Sequence, residues 1–164
     1  MNPPPETNEQ FNALIQAILK GEQTMIYQAT QAIADRFEEE NYKFRISEEE
    51  NTSRVIAGVT CDNTTIDIHF ISSDDDNDVS VRVFRLVRFP EDKLDTILRV
   101  VNALNRQFRF ARFIVDEDDR SVDIHHDIQS CTQDVGEAAV EMFCRLPNIA
   151  DDAFPQLMKA IWGN

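Results

Sequence analysis

Four aspartates and an asparagine form the run Asp74-Asp75-Asp76-Asn77-Asp78, and the alternation Asp74, Asp76, Asp78 is how a calcium loop begins. Alternate oxygen ligands of that kind can converge on one hard cation. The pattern then stops. Val79 stands where the sharp turn calls for glycine, and Arg85 stands where a bidentate glutamate would close the loop. This run, like Asp116-Glu117-Asp118-Asp119, therefore reads as a solvated acidic loop whose charges discourage pairing of strand edges. The histidines offer a second route to metal chemistry. His125 and His126 are adjacent, so on a strand they project to opposite faces and cannot grip one ion together. His126 is in phase with Val122, Ile124 and Ile128, which makes it a half-buried, hydrogen-bonded histidine, whereas His125 is in phase with Asp123 and Asp127. A metal site built from His69, His125 and an aspartate requires their strands to be neighbours, and the sequence does not establish that adjacency.

The other nucleophiles and cofactor signals are weaker. Cys61, Cys131 and Cys144 are widely spaced and include no C-x-x-C, which argues against a disulfide framework or a zinc site and for reduced thiols. Cys61 ends an apolar strand pattern and Cys144 lies in a helix, settings of inert thiols more often than of nucleophiles. Glycines stand only at 21, 58, 136 and 163, so no phosphate-cradling loop is written in the chain. With 30 carboxylates available, no single acid pair is informative. No catalytic, cofactor-binding or metal-ligating residue is assigned, no cofactor is implied, and a noncatalytic protein is expected.

Hydropathy periods define the elements that would position these groups. The triplet Pro3-Pro4-Pro5 makes residues 1–7 a disordered lead, and residues 8–164 read as one domain. Phe11, Leu14, Ile15, Ile18 and Leu19 recur at helical spacing, and a second helix over about 22–41 buries Met25, Ile26, Ala29, Ile33 and Phe37. The period then shortens to two. Strands are predicted over 42–47, 54–61, 65–71 and from Val79 onward, with connections too short for parallel crossovers, so an antiparallel meander follows. Pro90-Glu91-Asp92 opens a helix to about Gln107 whose apolar stripe is Leu94, Ile97, Leu98, Val101 and Leu104. Strands over 109–115 and 121–128 form a hairpin. Asp134 with Glu137 caps a helix that Leu146-Pro147-Asn148 closes, and a last helix carries Phe154, Leu157, Met158, Ile161 and Trp162. The fold class is α+β, a twisted antiparallel sheet of five to six strands packed by helices in the order α-α-β-β-β-β-α-β-β-α-α.

The chain carries 16 basic and 30 acidic residues, a net charge of −14, which disfavours nucleic acid and anionic membranes because phosphates are bound by Lys and Arg. No apolar run approaches the roughly 20 residues of a spanning helix, and the N-terminus lacks a signal-peptide pattern, so a cytoplasmic protein is expected.

The segment Leu94-Asp95-Thr96-Ile97-Leu98-Arg99-Val100-Val101-Asn102-Ala103-Leu104-Asn105, followed by Phe110 to Val115, the acidic turn and Val122-Asp123-Ile124, resembles the YbjN-domain family. In that family a helix with a Val-Asn-x-x-Asn motif precedes an Arg-Phe-x-Val-Asp-like strand and a hairpin. The resemblance covers about residues 22–146 by element order. It implies a bacterial domain with a fold similar to type III secretion chaperones, whose subunits often pair and which bind proteins without turning over substrates, and a sensory or regulatory label. At the matched positions, Asn102 and Asn105 are expected to hydrogen-bond local backbone more readily than to serve a ligand.

One irregularity points to a surface. Val79, Val81 and Val83 share one face of their strand, yet Phe84 and Leu86 fall on the other, and Ile56 and Phe113 are assigned to that same opposite face. An apolar patch on a sheet marks association. Ile56, Phe84, Leu86 and Phe113 are therefore the expected partner-binding residues, unless a terminal helix covers them. The primary expectation is a protein-interaction or regulatory module, binding a basic or apolar segment of another protein and able to form a homodimer. The alternative is a ligand- or metal-responsive sensory domain built on His69, His125 and the acidic loops.

Overall fold

The computed structural model describes residues 26–74 and 78–163; the expected proline-rich lead and the first helix lie outside the described residues, as does the centre of the acidic loop. Helix α1 (Gln28–Glu39) buries Thr30, Ile33, Ala34 and Phe37. It ends where Asn41 turns left-handed at φ 59°. The Asn41 N–H then bonds Glu38 O at 3.0 Å and the Tyr42 N–H bonds Phe37 O at 2.9 Å, a reciprocal closure that satisfies the last carbonyls. Ile26, expected inside, is 39% exposed.

Four strands follow: β1 (Arg45–Glu49), β2 (Thr52–Thr60), β3 (Thr65–Ser72) and β4 (Val79–Arg88). A 3-10 turn at Glu91–Lys93 leads into helix α2 (Leu94–Gln107), then strands β5 (Arg112–Asp116) and β6 (Ser121–Ile128), and helix α3 (Val135–Trp162). The six strands form one antiparallel sheet in the order β1-β2-β3-β4-β6-β5. The meander expected of the first four strands is formed by β1 to β4, and the hairpin of β5 and β6 joins it in reversed order. Because β6 is antiparallel to both β4 and β5, those two strands run parallel to each other. Helix α2 carries the chain past the place that β6 later fills, a split crossover that loop lengths alone do not reveal.

Alternation dictates which face is buried. Val55, Ala57, Ile66, Ile68, Phe70, Val79, Val81, Val83, Val122 and Ile124 share one face and form a single core with Ile33, Phe37, Ile97, Leu104, Ala139, Leu146 and Leu157 of the helices. All three helices pack there. In α2 the buried residues are Ile97, Val101 and Leu104, while Leu98 at the border of the stripe is 41% exposed.

The two C-terminal helices expected from Pro147 form one helix of 28 residues with Pro147 and Pro155 inside it. A proline removes the donor for the carbonyl four residues earlier and crowds the turn before it. The carbonyls so affected are those of Phe143 and Asp151, and side chains next to each proline add bonds to the carbonyls that follow them. Asn148 Nδ2 donates to Cys144 O at 3.2 Å and Gln156 Nε2 donates to Asp152 O at 3.2 Å, each one turn back. Asn63 Nδ2 reaches Asp151 O at 3.5 Å, the carbonyl that Pro155 leaves without a helical donor, and the Asn63 N–H donates to Asp151 Oδ1 at 2.6 Å. The β2–β3 turn thus fastens the proline-weakened part of α3 to the sheet. At its other end, Asp134 accepts from the Glu137 N–H at 2.8 Å, the cap expected from sequence. Gly136 lets α3 approach α1, since a Cβ there would lie 2.8 Å from Arg36 Cβ and 2.9 Å from Ala32 O.

Two polar devices fix the sheet laterally, the first of them buried. Thr30 Oγ1 lies 2.7 Å from Ser53 Oγ and donates to Ser72 Oγ at 3.1 Å, so three buried hydroxyls tie the start of α1 to β2 and β3. At the opposite edge, the Phe113 N–H donates to Asn105 Oδ1 at 2.7 Å and Asn105 Nδ2 donates to Phe113 O at 3.0 Å. Asn105 thereby imitates one residue of a neighbouring strand. This is the backbone role expected for it, reached across eight residues. Asn102 is exposed.

The open face of the sheet as candidate functional site

With the described helices all on one side, the opposite face of the sheet is read directly from strand register. Ile56, His69, Arg82, His125 and Arg112 form one row across β2, β3, β4, β6 and β5. Arg54, Ile71, Ser80 and Asp127 form the next. The strand adjacency that a site from His69 and His125 requires is not present, because β4 separates β3 from β6. Arg82 stands between His69 and His125, and a guanidinium there opposes a cation. Among the described residues no group of three or more His, Cys, Asp or Glu side chains is arranged to hold a metal ion.

Arg82 organises the centre of this face. It donates to Val81 O at 2.8 Å, His126 O at 2.6 Å, Ser80 Oγ at 3.1 Å and Asp127 Oδ1 at 2.8 Å, and Arg112 pairs with Asp127 Oδ2. Burial raises the Asp127 pKa, but the Arg82 hydrogen bond and the charges of Arg82 and Arg112 outweigh it and hold the carboxyl below its ordinary value. All three histidines are pushed below the ordinary imidazole value, first by burial. Arg54 adds to this at His69, and Arg82 does so at His125.

The expected partner-binding residues divide. Ile56 lies on the open face, 6% exposed and in register with His69. Phe84 is 42% exposed, with its ring edge-on to His69 at a centroid distance of 5.1 Å. Leu86 is 7% exposed because the strand does not continue regularly to it. Pairing with β6 shifts between Val83 and Val87, Arg85 adopts φ 53°, and its N–H donates to Asp123 Oδ1 at 2.8 Å. This bulge re-aims the side chains after Phe84, so Leu86 and Val87 are both buried. Phe113 requires correction. It faces Ile124 in the core and is 1% exposed, so it cannot join an open-face patch. Its neighbour Ile114, 39% exposed and opposite Asp123, occupies the open face instead. The charged residues Arg112 and Asp116 share the parity of Ile114 and were the available signal for that assignment.

Around the bulge the surface forms an open depression of about 600 Å³. Its apolar floor includes Phe84 and Leu86, and Asp67, Asp116, Asp119 and Asp123 stand in its wall beside His69 and Arg85. Asp119 pairs with Arg85 and, at 2.8 Å, with Arg88, and the Arg85 bond holds its carboxyl below the ordinary value. The thiols lie elsewhere. Burial pushes the Cys61 thiol up, and its Sγ lies 3.7 Å from Pro147 O, while Cys131 and Cys144 are exposed. Trp162, expected on the apolar face of the last helix, is 71% exposed. No described helix is long and apolar enough to cross a membrane.

The model of the YbjN family, described as "putative bacterial sensory transduction regulator", matches residues 30–157. That span runs from α1 through most of α3, further toward the C-terminus than the resemblance read from the motif. No curated protein and no solved structure matches the chain significantly. The chain belongs to the YbjN family.

Proposed function

We propose that this protein is a noncatalytic regulatory module of the cytoplasm, acting by binding a protein segment on the open face of its sheet. The observation that carries the reading is Phe84, a phenylalanine 42% exposed on a central strand, on the face opposite the described helices. An aromatic there gains nothing from the core, and with Leu86 it forms the apolar floor of a depression walled by four aspartates. Large apolar anchors within a polar rim are the usual construction of a binding surface. The rim charges and the net charge of −14 favour a segment with basic side chains around one apolar side chain. The family's description as a regulator supports binding as the mode of action.

The test uses a displayed library of random peptides selected on the full chain, with affinities then measured by fluorescence anisotropy. Selected peptides should combine Lys or Arg with a large apolar residue and bind at least about tenfold more weakly to Phe84→Ser, the cost of a modest anchor. Association should also slow as salt rises. Peptides that bind wild type and Phe84→Ser equally would place binding away from this face.

A further inference from the structure

In a chain of 30 acidic and 16 basic residues, the stretch 96–115 holds no Asp or Glu and carries Arg99, Arg106, Arg109 and Arg112. The fold turns the end of that stretch into a surface. The Phe108 N–H bonds Leu104 O at 2.9 Å to finish α2, and the chain leaves the helix extended at Phe108. Phe108 packs against the core with its ring 5.9 Å from that of Phe113, and Ala111 is buried. Arg109 and Phe110 between them are left outside, Phe110 at 44% exposure. The Arg145 guanidinium of α3 lies 4.3 Å from the Phe110 ring centroid, a cation–π contact. Around them is an open depression of about 380 Å³ whose apolar lining is Phe108, Phe110 and Ile149. Arg109 lines this depression and also a second, of about 360 Å³, which it shares with Arg112, His125 and His126.

The carboxylates nearby are already engaged. Asp127 is held by Arg82 and Arg112, Asp78 accepts from the Ser130 N–H at 2.7 Å, and Glu141 pairs with Arg145. Arg106 and Arg109 have no ion-pair partner among the described residues. On a protein of net charge −14, the surface here reverses sign around an exposed aromatic ring. We propose that the segment Arg106–Arg112 binds an acidic segment of a partner protein, a stretch of Asp and Glu with one large apolar side chain seated beside Phe110. Guanidinium forks match carboxylates, and complementary charge steers the encounter. Arginines beside an aromatic also suit single-stranded nucleic acid. A long polyanion, however, outruns the patch and meets the acidic remainder of the surface. A short segment stays within a Debye length of the arginines, about 8 Å at physiological salt. The surface shares no lining residue with the depression around Phe84 and carries the opposite charge, so the inference stands apart from the open-face reading.

The test titrates the full chain into labelled peptides in which Asp and Glu flank a central Trp, read by fluorescence anisotropy. Wild type should bind them, with affinity falling as salt rises. Arg109→Glu turns an attraction into a repulsion and should bind on the order of tenfold more weakly. Arg106→Glu repeats the reversal at a second exposed position. Phe110→Ser should weaken the Trp peptide by a similar factor and affect the same peptide with Ser for Trp much less. Two cross-checks keep the surfaces apart. Phe84→Ser should leave acidic-peptide binding unchanged, and Arg109→Glu should still bind basic peptides selected on the open face. A wild type that binds no acidic peptide overturns the proposal, as does binding indifferent to all three substitutions at this surface. An oligothymidylate that binds through Arg109 more tightly than the acidic peptides overturns it as well.

Discussion

The two faces of this sheet are written by the same six strands, yet they obey different rules. On the helix side, most inward positions of β2, β3, β4 and β6 are apolar or small and closed off from water, with Ile68, Phe70, Val81 and Ile124 fully buried and the half-buried His126, opposite Val81, as an exception. On the open side, consecutive rows mix Ile56, His69, Arg82, His125 and Asp127, and order comes from ion pairs and hydrogen bonds centred on Arg82. The first face supplies stability through burial. The second presents chemistry, and exposed ion pairs there add little to stability. A change on the helix side should therefore cost folding, whereas one on the open side should change what the surface does.

The largest effect is expected at Phe113, assigned to the open face by its spacing and placed in the core by the structure. Phe113→Ala should lower unfolding free energy by about 3–5 kcal/mol, the cost of emptying a closed aromatic site. Urea denaturation followed by circular dichroism measures it. A loss under about 1 kcal/mol would mean that the residue is not enclosed. Asn105→Ala comes next. It leaves the outward N–H and C=O of Phe113 to water, with an expected loss of about 0.5–1.5 kcal/mol and an opened β5 edge. Asn105→Asp sharpens the assignment, because a carboxylate still accepts from the Phe113 N–H but repels its carbonyl, so it should recover only part of the loss.

These two residues also show where the sequence was legible. Strict alternation in β3 and the valines of β4 gave the buried face, and Asp134 with Glu137 gave the start of α3. Both signals are local and rest on one period or one cap. Phe113 was not legible in that way, because Phe113, Ile114 and Val115 are apolar on both parities, and only the flanking Arg112 and Asp116 carry the direction. Leu86 failed for another reason. A left-handed Arg85 inserts a bulge, and alternation counted through a bulge assigns the wrong environment to everything after it. In α3 the carbonyl that Pro155 leaves without a helical donor is reached by Asn63, a long-range contact that a proline rule does not contain. Of the open face, the side on which Ile56 and Phe84 lie was readable, although Ile56 is closed off from water, while Ile114, the acidic wall and Arg82 between the histidines required strand order.

A pH titration reads both faces, since His69 and His125 lie on the open side and His126 on the helix side. His69, His125 and His126 are held below the ordinary imidazole pKa by burial, so the folded protein binds protons less readily than the unfolded chain. Stability from these groups is then fully present above the unfolded value of about 6.5 and is lost as pH falls below it toward the folded values. Asp127 is also lowered, so its contribution persists until pH falls below the unfolded carboxyl value of about 3.9. Denaturation curves from pH 7.5 to 5 should therefore show a decline caused by imidazoles, before the Arg82–Asp127 pair is affected. His69→Gln should flatten that decline. A stability that is level across this range would contradict the burial of the histidines.

The smallest effect on folding should come from the residue that matters most to the proposed surface. Phe84 packs edge-on against His69 but leaves much of its ring in water, and it fills no enclosed site. Phe84→Ser should change unfolding free energy by less than about 1 kcal/mol, in the range of surface substitutions. The same variant also removes the ring whose edge-on contact helps shield His69, so the His69 pKa should rise toward its ordinary value. Two-dimensional NMR of the imidazole resonances, titrated from pH 8 to 5, measures that movement independently of any partner. A His69 titration that moves upward while stability holds separates Phe84 from the core and leaves its exposure as a property of the open face. A loss near that of Phe113→Ala would instead make Phe84 a structural residue, and the contrast between the two faces would collapse at its central point.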